Sequence, residues 1–195
     1  MKRFASFGVV GSLVVLAACQ MPRRSSAVLE YTVFEPGPSS APLWIDDVIV
    51  WPAQQNGTRL TPPLLELFST RLHRGMRDRQ YSVIARPLVR SLADELGAAE
   101  AGAQSALQST KADGVLVVRF TRWDEAGLLS LGRVRAEGTL KLLGPEGRVR
   151  WQGRIRCDKV LVEGPGAPRD LAERRAVAVE RLAELLAARL PPHRV

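Results

Sequence analysis

Histidine and cysteine are almost missing from this chain of 195 residues. It has two of each: His73 and His193, Cys19 and Cys157. No second ligand stands at metal spacing from either histidine, and no nucleophile is paired with a base. Metal chemistry and triad-type catalysis are therefore excluded, and no cofactor is expected. The glycine-rich stretch 164–168, Gly-Pro-Gly-Ala-Pro, lacks the Lys-Ser/Thr ending of a phosphate loop and the glycine spacing of a dinucleotide fingerprint. Asp46 and Asp47 tempt an acid–base reading, but neighbours on a strand leave opposite faces and cannot share one site. Long apolar runs are missing too. The longest, 4–16, is too short to span a bilayer as a mature helix.

What is present begins with an address. Lys2 and Arg3 precede that apolar run, which closes in Leu16-Ala17-Ala18-Cys19. This resembles the bacterial lipobox, which implies cleavage before Cys19 and acylation of its thiol. Residues 1–18 are then a lipoprotein signal peptide and Cys19 a membrane anchor. Buried acyl chains supply about 0.8 kcal/mol per methylene, enough for durable mooring. Gln20 is not the Asp that resembles an inner-membrane retention signal, so the periplasmic face of the outer membrane is expected. With Cys19 acylated, Cys157 has no disulfide partner. It continues an apolar strand face and reads as a buried small hydrophobe. The formal net charge is +8, of which Lys2 and Arg3 leave with the leader. Such a balance suits anionic lipid, acidic partners or nucleic acid, and the periplasm argues against the last.

Residues 19–41 are rich in Pro, Ser and Arg and read as a lipidated tether, interrupted by the short alternating run 31–34. A single α/β domain is expected over 42–192. Residues 43–51 make the first strand. Thr61-Pro62 opens an amphipathic helix on Leu65, Phe68, Leu72 and Met76, with His73 off that stripe and solvated. A short strand at 81–85 and helices at 87–96 and 98–111 follow. Residues 114–120 are a continuous apolar run of the doubly buried kind. Strict alternation then gives two half-buried strands joined at Gly144-Pro145-Glu146-Gly147, a hairpin with Val149, Trp151, Gly153, Ile155 and Cys157 on its apolar face. A long helix over 169–190 ends the chain. The order predicts an α/β sandwich: a mixed β-sheet with helices packed mainly on one face and an antiparallel C-terminal hairpin, opened by a right-handed crossover.

These elements carry a resemblance. A tether containing Tyr31-Thr32 leads to the first strand; Gln80-Tyr81-Ser82-Val83, Lys111-Ala112-Asp113-Gly114, Val118-Arg119-Phe120-Thr121-Arg122-Trp123 and Arg150-Trp151-Gln152-Gly153 follow in turn. Over 43–158 this is similar to periplasmic outer-membrane lipoproteins with a TolB N-terminal-domain-like fold, a group that includes the curli-secretion lipoprotein and the activator lipoproteins of penicillin-binding proteins. The resemblance implies a non-enzymatic interaction or assembly module of an envelope secretion or cell-wall system. Gln80 departs from the Gly common at that position. The helix running to the C-terminus is more similar to auxiliary lipoproteins of ABC-type lipid-transport systems, which stand as the alternative.

One surface follows from the alternation. The polar face of the hairpin displays Arg133, Arg135, Lys141, Arg148, Arg150, Arg154 and Arg156, relieved by Glu137 and Asp158. Two readings stand: a solvated face that discourages strand aggregation, or a site for an anionic envelope component or an acidic protein. An arginine-rich face of this kind would not be tolerated against lipid tails, so no pore is expected. Leu128, Leu129 and Leu131 sit in the preceding connection, either as an apolar tip for a partner or second copy of the chain, or folded onto the core.

Overall fold

The computed structural model describes residues 45–191. The leader, Cys19, the tether with its Tyr31-Thr32 run, and His193 lie outside the described residues. Chain order is β1 (Asp47–Val50), β2 (Gln54–Gln55), α1 (Pro62–Asp78), β3 (Ser82–Val83), α2 (Arg86–Leu96), α3 (Glu100–Thr110), β4 (Gly114–Asp124), α4 (Leu128–Leu131), β5 (Arg133–Leu143), β6 (Val149–Val160) and α5 (Leu171–Ala187). The sheet runs β3-β1-β4-β5-β6, with β2 pairing β4 beyond β1. β3, β1, β4 and β2 are parallel, and β4, β5 and β6 antiparallel. The α/β sandwich on a mixed sheet, with its C-terminal hairpin, is the architecture observed.

Helices line both faces, and topology explains why. From β1 the chain crosses to β3 on one side, then returns past β1 to β4 on the other. Right-handed crossovers taken in opposite directions place their helices on opposite faces. α1 and α5 therefore cover one whole face, burying Val50, Leu116, Phe120, Leu140, Ile155 and Cys157 beneath Phe68, Leu72, Leu182 and Leu186. α2 and α3 cover only the parallel half of the other, over Ile49, Trp51, Val115 and Val117. The open half of that second face is the surface that matters below.

Local chemistry sets the element ends. Pro62 and Pro63 begin α1 where missing N–H groups cost nothing. Asp170 caps α5 by accepting from the Glu173 backbone N–H at 3.0 Å. Thr61 makes no such cap. Two register shifts override the simple parity of the strands. One lies between Phe120 and Arg122, so that Phe120 and Trp123 both face the core, their rings edge-to-face with centroids 6.4 Å apart. Phe68 meets Phe120 in the same manner at 5.0 Å; such pairs add about 0.5–1.5 kcal/mol beyond the area they bury. The other shift falls opposite Leu142 and Leu143 and turns Val149 off the apolar face. Val149 is opposite Leu143 and exposed, which corrects its assignment to the row of Trp151 and Ile155. β1 also begins later than expected, at Asp47, and the backbone N–H groups of exposed Asp46 and Asp47 donate to the Asp113 carboxylate at 3.1 Å.

Candidate functional site

The open half-face consists of the second half of β4 with β5 and β6. Opposed pairs along it are Arg122 with Glu137, Asp124 with Arg135, Arg135 with Asp158, Glu137 with Arg156, Thr139 with Arg154, and Lys141 with Gln152. Much of its expected positive charge is spent internally. Arg133 grips both oxygens of Asp158, at 2.5 and 2.8 Å, and Arg135 reaches the same carboxylate at 3.3 Å. Hydrogen bonds from Arg133, then the charges of both arginines, hold the Asp158 carboxyl below its ordinary range. Lys141 donates to both oxygens of Glu100, at 3.0 and 3.1 Å, and Arg119 comes within 3.7 Å of that group. Arg122 pairs with Glu137 at 3.3 Å and Asp124 at 3.8 Å, and Arg148 with Glu146 in the turn at 3.0 Å. Exposed pairs of this kind contribute about 0–1 kcal/mol each. Their consequence is for charge rather than stability.

The seven expected basic residues therefore divide. Arg133, Arg135, Lys141 and Arg148 are ion-paired. Arg150, Arg154 and Arg156 have no carboxylate within 4.0 Å among the described residues, and all three are exposed on the outermost strand. Relief by Glu137 and Asp158 alone is corrected by Glu100 and Asp124. Glu100 comes from α3, far away in sequence, and no local signal announces it. Asp124 was hidden by the register shift at Thr121, which returns Arg122 and Asp124 to this face.

The apolar tip divides too. Residues 128–131 form the short helix α4, and Leu128 is wholly buried in the core, which overturns it as a contact residue. Leu129 and Leu131 are 56% and 62% exposed, and Val160, also exposed, lies close to Gly132. Anchoring is dense behind them. Arg174 donates to the Leu128 carbonyl at 2.7 Å, and Glu125 accepts from Arg175 and from the Trp123 indole. Burial would raise the Glu125 carboxyl, but the Arg175 and Trp123 hydrogen bonds outweigh it and leave it lowered. Gly132 closes the turn at φ +66°, where an added Cβ would lie 1.8 Å from the Val162 carbonyl oxygen. Only glycine fits there.

Elsewhere the chemistry is sparse. His73 is half-buried, not solvated as its flanking arginines suggested: Nε2 lies 3.1 Å from the Ile84 carbonyl. Burial, then Arg86 and Arg77, lowers its pKa. Cys157 is buried, and burial pushes its thiol up to about 11. Two shallow hollows open on the helices. One of about 350 Å³ lies along α2 between Arg86 and Asp94, and one of about 490 Å³ lies along α1 around His73 and Arg77. Glu66 bridges Arg86 and Arg90 beside the first. Among the described residues no group of three His, Cys, Asp or Glu is placed to hold a metal ion, and no helix is long and apolar enough to cross a membrane.

No family model matches the chain, and no curated protein matches it. Solved structures do. The lipoprotein GNA1162 from Neisseria meningitidis is similar at a TM-score of 0.46, with 15% identity, over 58% of this chain and 83% of that one. The LpoB C-terminal domain from Escherichia coli follows at 0.43, with 11% identity, over 62% and 88%. The PelC dodecamer from Paraburkholderia phytofirmans reaches 0.50 with 16% identity, over 79% of this chain and 96% of that one. The likeness to PelC, spanning nearly the whole of that chain, shows that the two share a fold.

Proposed function

We propose that the chain is a non-enzymatic outer-membrane lipoprotein, moored at the periplasmic face by acylated Cys19 through the tether 19–41. Its α/β domain, 42–192, is an interaction or assembly module of an envelope secretion or cell-wall system. The observation that carries this reading is the half-covered sheet. One face is sealed by α1 and α5, while the other leaves three strands in solvent, arginine-rich and without a cluster suited to catalysis. Such a surface is made for contact. The likeness to a protein that forms a dodecamer supports a second copy of the chain among its partners, with exposed Leu129 and Leu131 as the apolar contact.

The test is metabolic labelling with a clickable fatty acid, followed by crosslinking of detergent-solubilised envelopes. Wild-type protein should take up the label and enter the detergent phase, and Cys19→Ser should do neither. Crosslinking should trap an envelope protein or a multimer, and Leu129→Ser with Leu131→Ser should weaken the product. An unlabelled wild-type protein that remains monomeric and uncrosslinked sinks the reading.

A further inference from the structure

The outermost strand has a geometric relation to the anchor that the module reading does not use. Ile45, the first described residue, packs against Gly114 and Leu142: a Cβ added at Gly114 would lie 3.1 Å from Ile45 Cγ2 and 3.3 Å from Leu142 Cδ1. The chain therefore enters the domain at the end of the sheet where β4 begins and the β5–β6 hairpin turns. The 25 residues between Cys19 and Ile45 span at most about 80–90 Å when fully extended. On the lipidated reading, the leash therefore joins the domain at its hairpin end.

That end and the strand leaving it carry the three of the seven hairpin cations that no carboxylate pairs among the described residues. Arg150 lies against Gly144 of the turn, and Arg154 and Arg156 continue along β6. β6 is an edge strand, with no strand beyond it among the described residues. The exposed leucines sit at the other end of the eleven-residue β5, on the order of 35 Å away. Guanidinium is the side chain best matched to phosphate oxygens, which it can bind in pairs.

We propose that Arg150, Arg154 and Arg156 seat β6 on the anionic phospholipid headgroups of the leaflet that holds the anchor, a second attachment that leaves the leucine tip facing away from the membrane. This rests on the lipidated reading, because only a leash at Cys19 makes that leaflet the nearest anionic surface. Acyl chains and basic residues together are the usual pair of signals for stable membrane association. Each arginine near an anionic surface contributes about fivefold in occupancy.

The test uses the acylated full chain on vesicles of phosphatidylcholine with or without phosphatidylglycerol, read by flotation and by amide hydrogen exchange over 148–156. Flotation on pure phosphatidylcholine reports the anchor alone, so a protein that fails to float refutes the lipidated reading and with it this one. For a protein that floats, exchange over 148–156 should slow about tenfold or more when phosphatidylglycerol is present. Molar salt should abolish the slowing, as should the triple change R150E/R154E/R156E; R154Q/R156Q, which neutralises two of the three without reversing their charge, should lose most of it. Equal exchange on both vesicles, or protection that arises only on adding isolated cell-wall sacculi, overturns the proposal.

Discussion

Gly75→Ala tests the packing that seals one face of the sheet. Gly75 lies inside α1, where alanine would normally stabilise by about 1 kcal/mol through helix propensity. Here the new Cβ would stand 2.4 Å from the Ala187 Cβ of α5. Carbon atoms in contact sit about 3.5–4.0 Å apart, so the two helices must separate by more than 1 Å. Neither atom can swing away. α1 is held through Phe68, Leu72 and Met76, and α5 through Leu182 and Leu186, so separation loosens both rows at once. Overpacking of this kind costs about 1–3 kcal/mol, which exceeds the propensity gain. A net loss of about 1 kcal/mol should lower Tm by about 2–4 °C for a domain of this size. Ala187→Gly alone should also destabilise, through helix propensity. The double variant G75A/A187G should recover most of the clash, with a coupling of about 1 kcal/mol or more in a double-mutant cycle. Thermal and urea unfolding of the four proteins decide it. If G75A raises Tm, or the two changes simply add, the close crossing of α1 and α5 is refuted.

Leu128→Ala should cost about 2–5 kcal/mol in urea unfolding, while Leu129→Ser and Leu131→Ser stay within about 0.5 kcal/mol; equal costs would place all three leucines in one environment. Cys157 should resist thiol reagents at pH 8 until the chain unfolds. An unfolded thiol releases its proton near 9 and the folded one near 11, so stability is intact below 9 and falls by about 2–3 kcal/mol as pH rises to 11. Cys157→Ala should flatten that limb; an unchanged slope would assign it to other groups such as Tyr81, which burial also raises. Glu125, held low by Arg175 and Trp123 despite burial, contributes stability that is present above its unfolded pKa and lost as pH falls through the folded value. Glu125→Gln should reduce the difference between melts at neutral and strongly acid pH, and an identical acid limb would count against the pair.

Strands and helices were legible wherever side-chain period reports burial directly. The apolar run at 114–118 and the alternation at 134–142 and 151–157 returned as β4, β5 and β6, because a pleat forces alternate residues to opposite faces. What escaped was non-local. A register shift costs one residue and is invisible to composition, yet it moved Val149 from the apolar row to solvent and brought Asp124 onto the basic face. Residues 54–55 have no apolar signal, since β2 exists only because β4 extends past the end of β1. Glu100 acts on Lys141, 41 positions away, a distance no spacing rule covers. Leu128 and Leu131 look alike in sequence; only the close of the turn at Gly132, against the Val162 carbonyl, decides which of them points inward.

The chain's reversal at β1 connects these points into one cause. Had the crossovers all run in one direction, the helices would share a face and leave the other bare along its whole length. Reversal instead sends α2 and α3 over the parallel half, and Glu100 at the edge of α3 then meets Lys141 and Arg119, the cations next to the covered half. Asp158 meets Arg133 and Arg135 at the opposite end of the strands. Neutralisation thus advances from α3, from the tip and, through Glu146 on Arg148, from the turn, and stops short of Arg150, Arg154 and Arg156 on β6. An anion approaching Arg133 must displace a carboxylate already stabilised in its charged form. One approaching Arg154 or Arg156 displaces no such carboxylate, so the difference in partner, rather than the number of arginines, sets which cations of this face stay open to an anion.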